Sequence, residues 1–319
     1  MPELPEVETT KASLSPLIGH TISQVQVFQP KLRWSMPSDL NRLVGYQLQS
    51  VSRRAKYLIL TFKPDPSIKA ETDANTTVPP TKRLLIHLGM SGSLQQYPAD
   101  SAIRKHDHLI LNFSDASGAQ TQLHYHDPRR FGAVLWHDDY ADKLLNHLGV
   151  EPLSETFTAE YLYNIIQRID LAENKNTDST KPISRTNKRQ RRPIERPIKT
   201  VIMEQQVVVG VGNIYAAESL HLAKIHPATP ANVLTKTQLE LLVKHIKSVL
   251  TKSIKLGGST LKDFTVASGQ TGYFQQTLHV YGRQGEACLH CGHTLDNLKL
   301  GGRASVFCPH CQPLASLPI

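Results

Sequence analysis

Long apolar runs are missing from this 319-residue chain: none approaches the ~18 residues of a membrane-spanning helix, so no such span and no membrane partner is expected. Cysteine is scarce. Its four copies all lie beyond position 287, which excludes a disulfide framework spread through the fold. The patterns HExxH, GxSxG and GxxxxGKS are absent, and with them any support for a zinc protease, a hydrolase elbow or a P-loop. The segment VVVGVGNIYAAES (207–219) offers Gly210 and Gly212 but no third glycine, in a helical context, so a dinucleotide fingerprint is excluded too. No repeat of fixed period occurs.

What is present describes a globular chain long enough for two domains, 39% hydrophobic. Lys plus Arg number 36 against 27 Asp plus Glu, a net of +9 that favours a polyanionic partner. That charge is local. Residues 181–199, KPISRTNKRQRRPIERPIK, carry eight basic side chains and one Glu, leaving only +2 for the remainder. Two early prolines and three early glutamates resemble no secretory or transit signal, so a cytoplasmic protein is expected.

Short alternating stretches at 21–28, 46–53, 56–62, 83–88, 108–113, 121–126 and 133–136 predict strands of an antiparallel sandwich or barrel. A helix is predicted over 5–18, with Val7, Leu14, Leu17 and Ile18 available for burial. Residues 64–81, with four prolines, read as a long loop between strands. After LGVEPLS (148–154) the pattern turns helical, at 158–169, 199–206, 213–223 and 235–255. Thr235 and Gln238 fit a capping box at the start of the last of these. A polar, charged insert at 170–197 interrupts the helices and reads as disordered.

Cys288-x-x-Cys291, sixteen residues, then Cys308-x-x-Cys311 bring four thiolates to the spacing that zinc takes. With every position filled by protein, one structural, non-catalytic Zn2+ is the cofactor expected. His290, His293 and His310 beside the ligands read as solvated. In 207–219, Gly210 and Gly212 make a turn and Asn213 is read as the helix cap. The segment is either a phosphate-holding helix start or a plain helical joint.

The opening MPELPEVE also has two readings. Pro5 and the glutamates suit a helix start. Removal of Met1 would instead leave Pro2 as a secondary amine titrating near pH 8, against about 10 for lysine, and so a better nucleophile.

Together, MPELPEVE, RRAKYLIL (53–60), HLGMSGSL (87–94), DPRRFGA (127–133), VVGVGNIYAAES and the four-cysteine finger resemble the formamidopyrimidine-DNA glycosylase / endonuclease VIII family over nearly the whole chain. KHDH (105–108) and GGSTLKDF (257–264) agree. Leu4 and DPRRFG match the bacterial purine-type branch; the stretches at 64–81 and 170–197 are longer than usual. The resemblance implies an α+β multidomain fold. An N-terminal β-sandwich with flanking helices (1–148) precedes a helix-two-turn-helix domain (149–264) and a zinc β-hairpin (277–313).

It further implies a bifunctional DNA glycosylase and abasic-site lyase of base excision repair. Its partner would be double-stranded DNA carrying oxidised purines or abasic sites. Pro2 would attack the sugar C1′, Glu3 would act as general acid, and Lys56 would be proton donor and phosphate partner. Met90, Arg129 and Phe131 would fill the hole left by the flipped nucleotide. His87, His106, Lys199, Asn213 and Arg303 would meet phosphate, and Arg303 would assist the second elimination. Glu6 could face the same pocket or only favour the helix dipole. Without the resemblance, Met90 and Phe131 read as core. The stretch from 257 to 274, ending near Tyr273, is the natural cover for the flipped base. The resemblance points to a bacterial, nucleoid-associated enzyme, and a monomer is the simplest expectation.

Two other readings stand beside this one: a lyase preferring oxidised pyrimidines, and a non-catalytic zinc-ribbon DNA-binding protein. The basic insert is either a DNA-sliding arm or a solvated loop. The salt dependence of DNA binding, measured with and without residues 172–195, separates those two.

Overall fold

The computed structural model describes residues 2–65, 81–169, 192–258 and 277–314. Most of the proline-rich loop, residues 170–191 of the insert, and the covering stretch from 259 onward with Tyr273 lie outside the described residues. The chain forms two compact units: residues 1–148 with 250–277, and residues 149–249 with 278–319.

In the first unit, helix α1 (Leu4–Ser13) and a 3-10 turn (Ser15–Leu17) precede eight strands. These are β1 (Thr21–Val27), β2 (Tyr46–Arg54), β3 (Tyr57–Pro64), β4 (Lys82–His87), β5 (Ser93–Pro98), β6 (Asp107–Ser114), β7 (Gln120–His126) and β8 (Ala133–Trp136). They pair antiparallel in the order β5-β7-β6-β1-β2-β3-β4-β8. β1 and β2 share only the Thr21–Gln47 register position, so this junction divides the sheet into two four-stranded halves. Period-two alternation then builds the sandwich. Leu58, Leu60 and Phe62 of β3 and Leu84 and Ile86 of β4 share one core with Leu109, Leu111 and Phe113 of β6 and Leu123 and Tyr125 of β7.

Val7, Leu14 and Leu17 enter the same core, whereas Ile18 is exposed, because the helix ends at Ser13 and the chain turns outward. Two elements were not foreseen. β5 holds Gln95, Gln96 and Pro98 and shows little alternation. Helix α2 (His137–Leu145) fully buries no residue, and its inner stripe, His137, Tyr140, Ala141, Leu144 and Leu145, is only half-buried.

The second unit contains α3 (Ala159–Gln167), α4 (Ile198–Ile202), α5 (Asn213–Leu222) and most of α6 (Lys236–Lys255), followed by the hairpin β9 (Asp296–Leu300) and β10 (Arg303–Phe307). α4 is shorter than the predicted 199–206. α6 buries Leu239, Leu242, Val243 and Ile246, an i, i+3, i+4, i+7 stripe. Its Thr235–Gln238 capping box forms in both directions, at 3.2 and 3.0 Å. The cap of α5 is Gly212, not Asn213, which is the first helical residue. Among the described residues no helix is long and apolar enough to cross a membrane.

The hairpin seats Val280, Cys288, Leu295, Val306 and Cys308 around Ala217 of α5. At the next residue, the buried carboxylate of Glu218 accepts the backbone N–H groups of His279 (2.8 Å), Val280 (2.9 Å) and Tyr281 (2.8 Å). Burial alone would raise its pKa, but the bonds from His279 and these backbone groups outweigh it and hold the carboxyl below its usual range. Glu218→Gln is expected to cost about 2–3 kcal/mol, because an amide cannot satisfy this donor set. Denaturant unfolding of the wild type and variant checks this. The difference should shrink as pH falls below the usual carboxylate range, where the wild-type group takes up a proton.

Candidate nucleic-acid and catalytic site

Pro2 and Glu3 are buried at the start of α1. The Glu6 carboxylate accepts the Glu3 N–H at 2.8 Å, fixing the peptide that joins Pro2 to Glu3. Further along α1, Glu8 pairs with Arg53 of β2 at 2.6 Å. Arg53 Nη1 also donates to the Ala55 carbonyl at 2.9 Å. Ala55 sits at φ +53°, an unfavourable conformation for a residue with a Cβ. Lys56 follows it in the tight β2–β3 turn and is almost fully buried. One side chain, Arg53, therefore ties the N-terminal helix to the turn that carries Lys56.

His87 closes β4. Its ring lies 4.9 Å from that of Tyr57, and its Nδ1 accepts the Gly89 N–H at 3.0 Å. The neutral ring therefore carries its proton on Nε2, available as a donor. Desolvation first, then the charges of Lys56 and Arg33, lower its pKa to about 4. Arg33 and Tyr57 were not singled out from sequence. Arg33 is linked to the site by its charge and Tyr57 by its ring contact with His87, neither of which a single sequence displays.

The loops after β4 and β7 lie back to back. Asp127, fully buried, accepts from Ser91 Oγ at 2.7 Å and from the Gly132 N–H at 2.9 Å, and Ser91 Oγ in turn accepts the Arg129 N–H at 3.2 Å. A Cβ on Gly89 would stand 2.4 Å from Gly132 N, and one on Gly132 only 1.8 Å from Tyr125 Oη. These two loops present Met90, Arg129 and Phe131, all exposed, with the Arg129 guanidinium 5.2 Å from the Phe131 ring centre. The plain core reading of Met90 and Phe131 thus fails. His106 joins this group through its backbone, its carbonyl accepting the Asp127 N–H at 3.0 Å, and its ring stands against His126 (5.9 Å) and His108 (6.4 Å). Beside it, buried Asp107 binds His124 and His126, each at 2.9 Å.

In the second unit, Lys199 is buried. Its Nζ donates to Asn213 Oδ1 (2.7 Å), Ser305 Oγ (2.7 Å) and the Ala304 carbonyl (3.1 Å). This joins α4 to the start of α5 and to the hairpin. Asn213 gives its oxygen to Lys199, so its amide N–H groups are oriented away from that bond. Arg303 is exposed at the start of β10, just after Gly301 and Gly302, whose φ values of +52° and +76° suit a two-residue hairpin turn.

The four cysteine sulfurs lie within 4.8 Å of one another, with Cys291–Cys308 at 3.4 Å and Cys288–Cys311 at 4.0 Å. Zn–S bonds of about 2.3 Å place tetrahedral sulfurs roughly 3.8 Å apart, so the donor set fits zinc. Burial first, and then the neighbouring sulfurs of Cys291 and Cys308, push the Cys311 thiol far above its usual range. Four thiolates here require a cation.

Residues 1–134 match the family model for the formamidopyrimidine-DNA glycosylase N-terminal domain, and residues 148–265 match that for its H2TH domain. The chain belongs to the formamidopyrimidine-DNA glycosylase family. Residues 285–314 match the zinc finger found in FPG and IleRS. The formamidopyrimidine-DNA glycosylase of Psychrobacter arcticus is 62% identical over 99% of this chain and all of its own length. That of Acinetobacter baylyi is 49% identical over 98% and 99%. Among solved structures, a Lactococcus lactis FPG mutant complexed with Fapy-dG containing DNA aligns with a TM-score of 0.77 at 32% identity, covering 98% of this chain and 100% of that one. MutM in complex with carbocyclic 8-oxo-G containing DNA gives 0.76 at 34%, with the same coverage.

The lowered His87 pKa yields a pH prediction. Folding favours the neutral ring, so its contribution to stability is present above pH 6.5 and is lost as pH falls towards about 4. Wild-type protein should therefore lose thermal stability over that interval more steeply than His87→Gln, measured by melting at fixed ionic strength.

Proposed function

We propose that the chain is a bifunctional DNA glycosylase and abasic-site lyase of bacterial base excision repair. Its substrate is double-stranded DNA bearing 8-oxoguanine, formamidopyrimidines or abasic sites. Residues 1–148 carry the chemistry, 149–264 and the 277–313 hairpin hold DNA, and one zinc ion on Cys288, Cys291, Cys308 and Cys311 is structural. The observation that carries the reading is the placement of Pro2. A proline whose following peptide is locked by Glu6 stands at the head of a buried helix tied to the Lys56 turn.

Once Met1 is removed, the Pro2 nitrogen attacks C1′ of the damaged nucleotide. The C1′–base bond breaks, and the base leaves with a proton. Glu3, adjacent and buried, is the general acid that assists opening of the sugar or departure of the base. The attacking amine gives up its proton, the C1′–O4′ bond then breaks with a proton passing to the ring oxygen, and the secondary amine is left as an iminium whose charge does not depend on pH. It withdraws electrons from C2′, so a proton leaves there and the 3′ phosphate is expelled; a second elimination releases the 5′ phosphate. Lys56 supplies a proton and a phosphate contact. Its charge also favours the unprotonated amine. The partly charged nucleotide site is completed by His87 as a neutral N–H donor.

Attack at C1′ requires the nucleotide to leave the stack. Met90 and Phe131 are apolar wedges on a rigid double loop, and Arg129 offers hydrogen bonds to the orphaned base. His106, Asn213 and Arg303 meet the backbone, and Arg303 assists the second elimination. Lys199 acts on phosphate through Asn213, whose orientation it sets.

Borohydride trapping on duplexes containing 8-oxoguanine, thymine glycol or no lesion tests the reading. A covalent complex is expected with 8-oxoguanine only. Trapping on thymine glycol instead would mark a pyrimidine enzyme, and none at all a binding module. Pro2→Gly and an N-terminal tag should both abolish the complex. Separately, Asp127→Asn should lower kcat/KM on the 8-oxoguanine duplex roughly ten- to a hundredfold by displacing the wedge loops, as steady-state cleavage would measure.

A further inference from the structure

Each zinc knuckle carries an exposed histidine that the tetrathiolate does not use. His293 follows Cys291 by two residues, and His310 lies between Cys308 and Cys311. The knuckle backbones are well fixed: Cys288 N–H donates to the His293 carbonyl (2.8 Å), Gly292 N–H to Cys288 (2.9 Å), and Gln312 N–H to Cys308 (2.9 Å). The two imidazoles stack at 4.3 Å with planes only 7° apart. Ligand atoms of Cys291, His293 and His310 all lie within 4.8 Å of one another.

We infer that this trio forms a second metal position beside the tetrathiolate. It would take zinc or another borderline divalent ion through His293, His310 and a shared Cys291 sulfur, with water completing the shell. The chemistry suits that ion: imidazole and thiolate are its preferred donors, and three protein ligands with one open place form a common coordination set. A thiolate keeps lone pairs after binding one ion and can bridge to another. Tetrahedral donors stand roughly 3.3–3.6 Å apart, so the donors must close by about 1 Å. Both rings are exposed and can rotate to do so. The step involves no electron transfer; at most an imidazolium releases its proton on binding. Such a position would also give an incoming ion a foothold next to the structural one, and so a path for metal exchange.

The inference rests on the structural zinc reading, and its test separates the two. Full-length protein carrying one zinc is titrated with Co2+, followed by native mass spectrometry and by thiolate-to-cobalt charge-transfer absorption. A second equivalent should bind with that absorption while zinc is retained. Its affinity should fall by about tenfold or more in His293→Ala and in His310→Ala, with the first equivalent intact. A protein that keeps its zinc but takes no second ion would overturn the inference. So would a second ion without thiolate absorption, or one indifferent to both substitutions. Failure to hold even the first ion would sink the structural zinc reading instead.

Discussion

The two loops of the first unit that carry Met90, Arg129 and Phe131 depend on one buried carboxylate. Asp127 is sealed from solvent and accepts from a side chain of one loop and a backbone N–H of the other. In a low-dielectric setting a satisfied acceptor of this kind specifies geometry strongly, since losing either donor leaves an unpaired group. The glycines at 89 and 132 complete the arrangement by letting the two backbones touch. Exposed Met90 and Phe131 gain nothing from the core, so the loops must be held from beneath. That is where Asp127 lies.

The second unit uses the same principle with both signs of charge. Glu218 gathers the N–H groups at the entrance to the hairpin, while Lys199 gathers acceptors from α5 and β10. Glu218 lies within α5 and Lys199 bonds to its first residue, Asn213, and each charge is matched by several bonds. That many-partner matching is what makes a buried charge tolerable. Under the proposed function these bonds make Lys199 a positioner of Asn213, a task that residue type alone does not convey.

These contrasts explain what the sequence conveys. Strand β3 was legible because its alternating leucines are a local signal of a one-sided core, β4 and β6 because each carries a short apolar run, and β7 because Leu123 and Tyr125 alternate with polar residues. The finger was legible because ligand spacing is local too. β5 was hidden by its glutamines, and α2 by the shortness of its half-buried stripe, although Asp138, Asp139 and Lys143 at its two ends are charge signals of a helix. α4 ends at Ile202, and beyond it Gln205 accepts the Gly210 N–H, a contact across a turn. The motif residues at 90, 129 and 131 could be proposed from resemblance. Asp127, Ser91 and Glu218 could not be given their tasks, since those are defined by partners as far as 36 to 63 positions away.

The N-terminal helix shows how the start of a chain is held by lateral support. A residue before the first turn has no intrahelical bond to hold it, and proline contributes no amide donor inside a chain. α1 is therefore fixed by its flanks. Leu4, Glu6, Val7 and Thr10 are all buried, and Glu8 reaches Arg53. Arg53 then grips the carbonyl of Ala55 in its left-handed conformation, which costs roughly 1–2 kcal/mol without such support. Any movement of α1 along its axis would pull on this guanidinium and hence on the Lys56 turn. Under the proposed chemistry, nucleophile and proton donor approach C1′ as parts of one body. Binding energy need not be drawn on to assemble them.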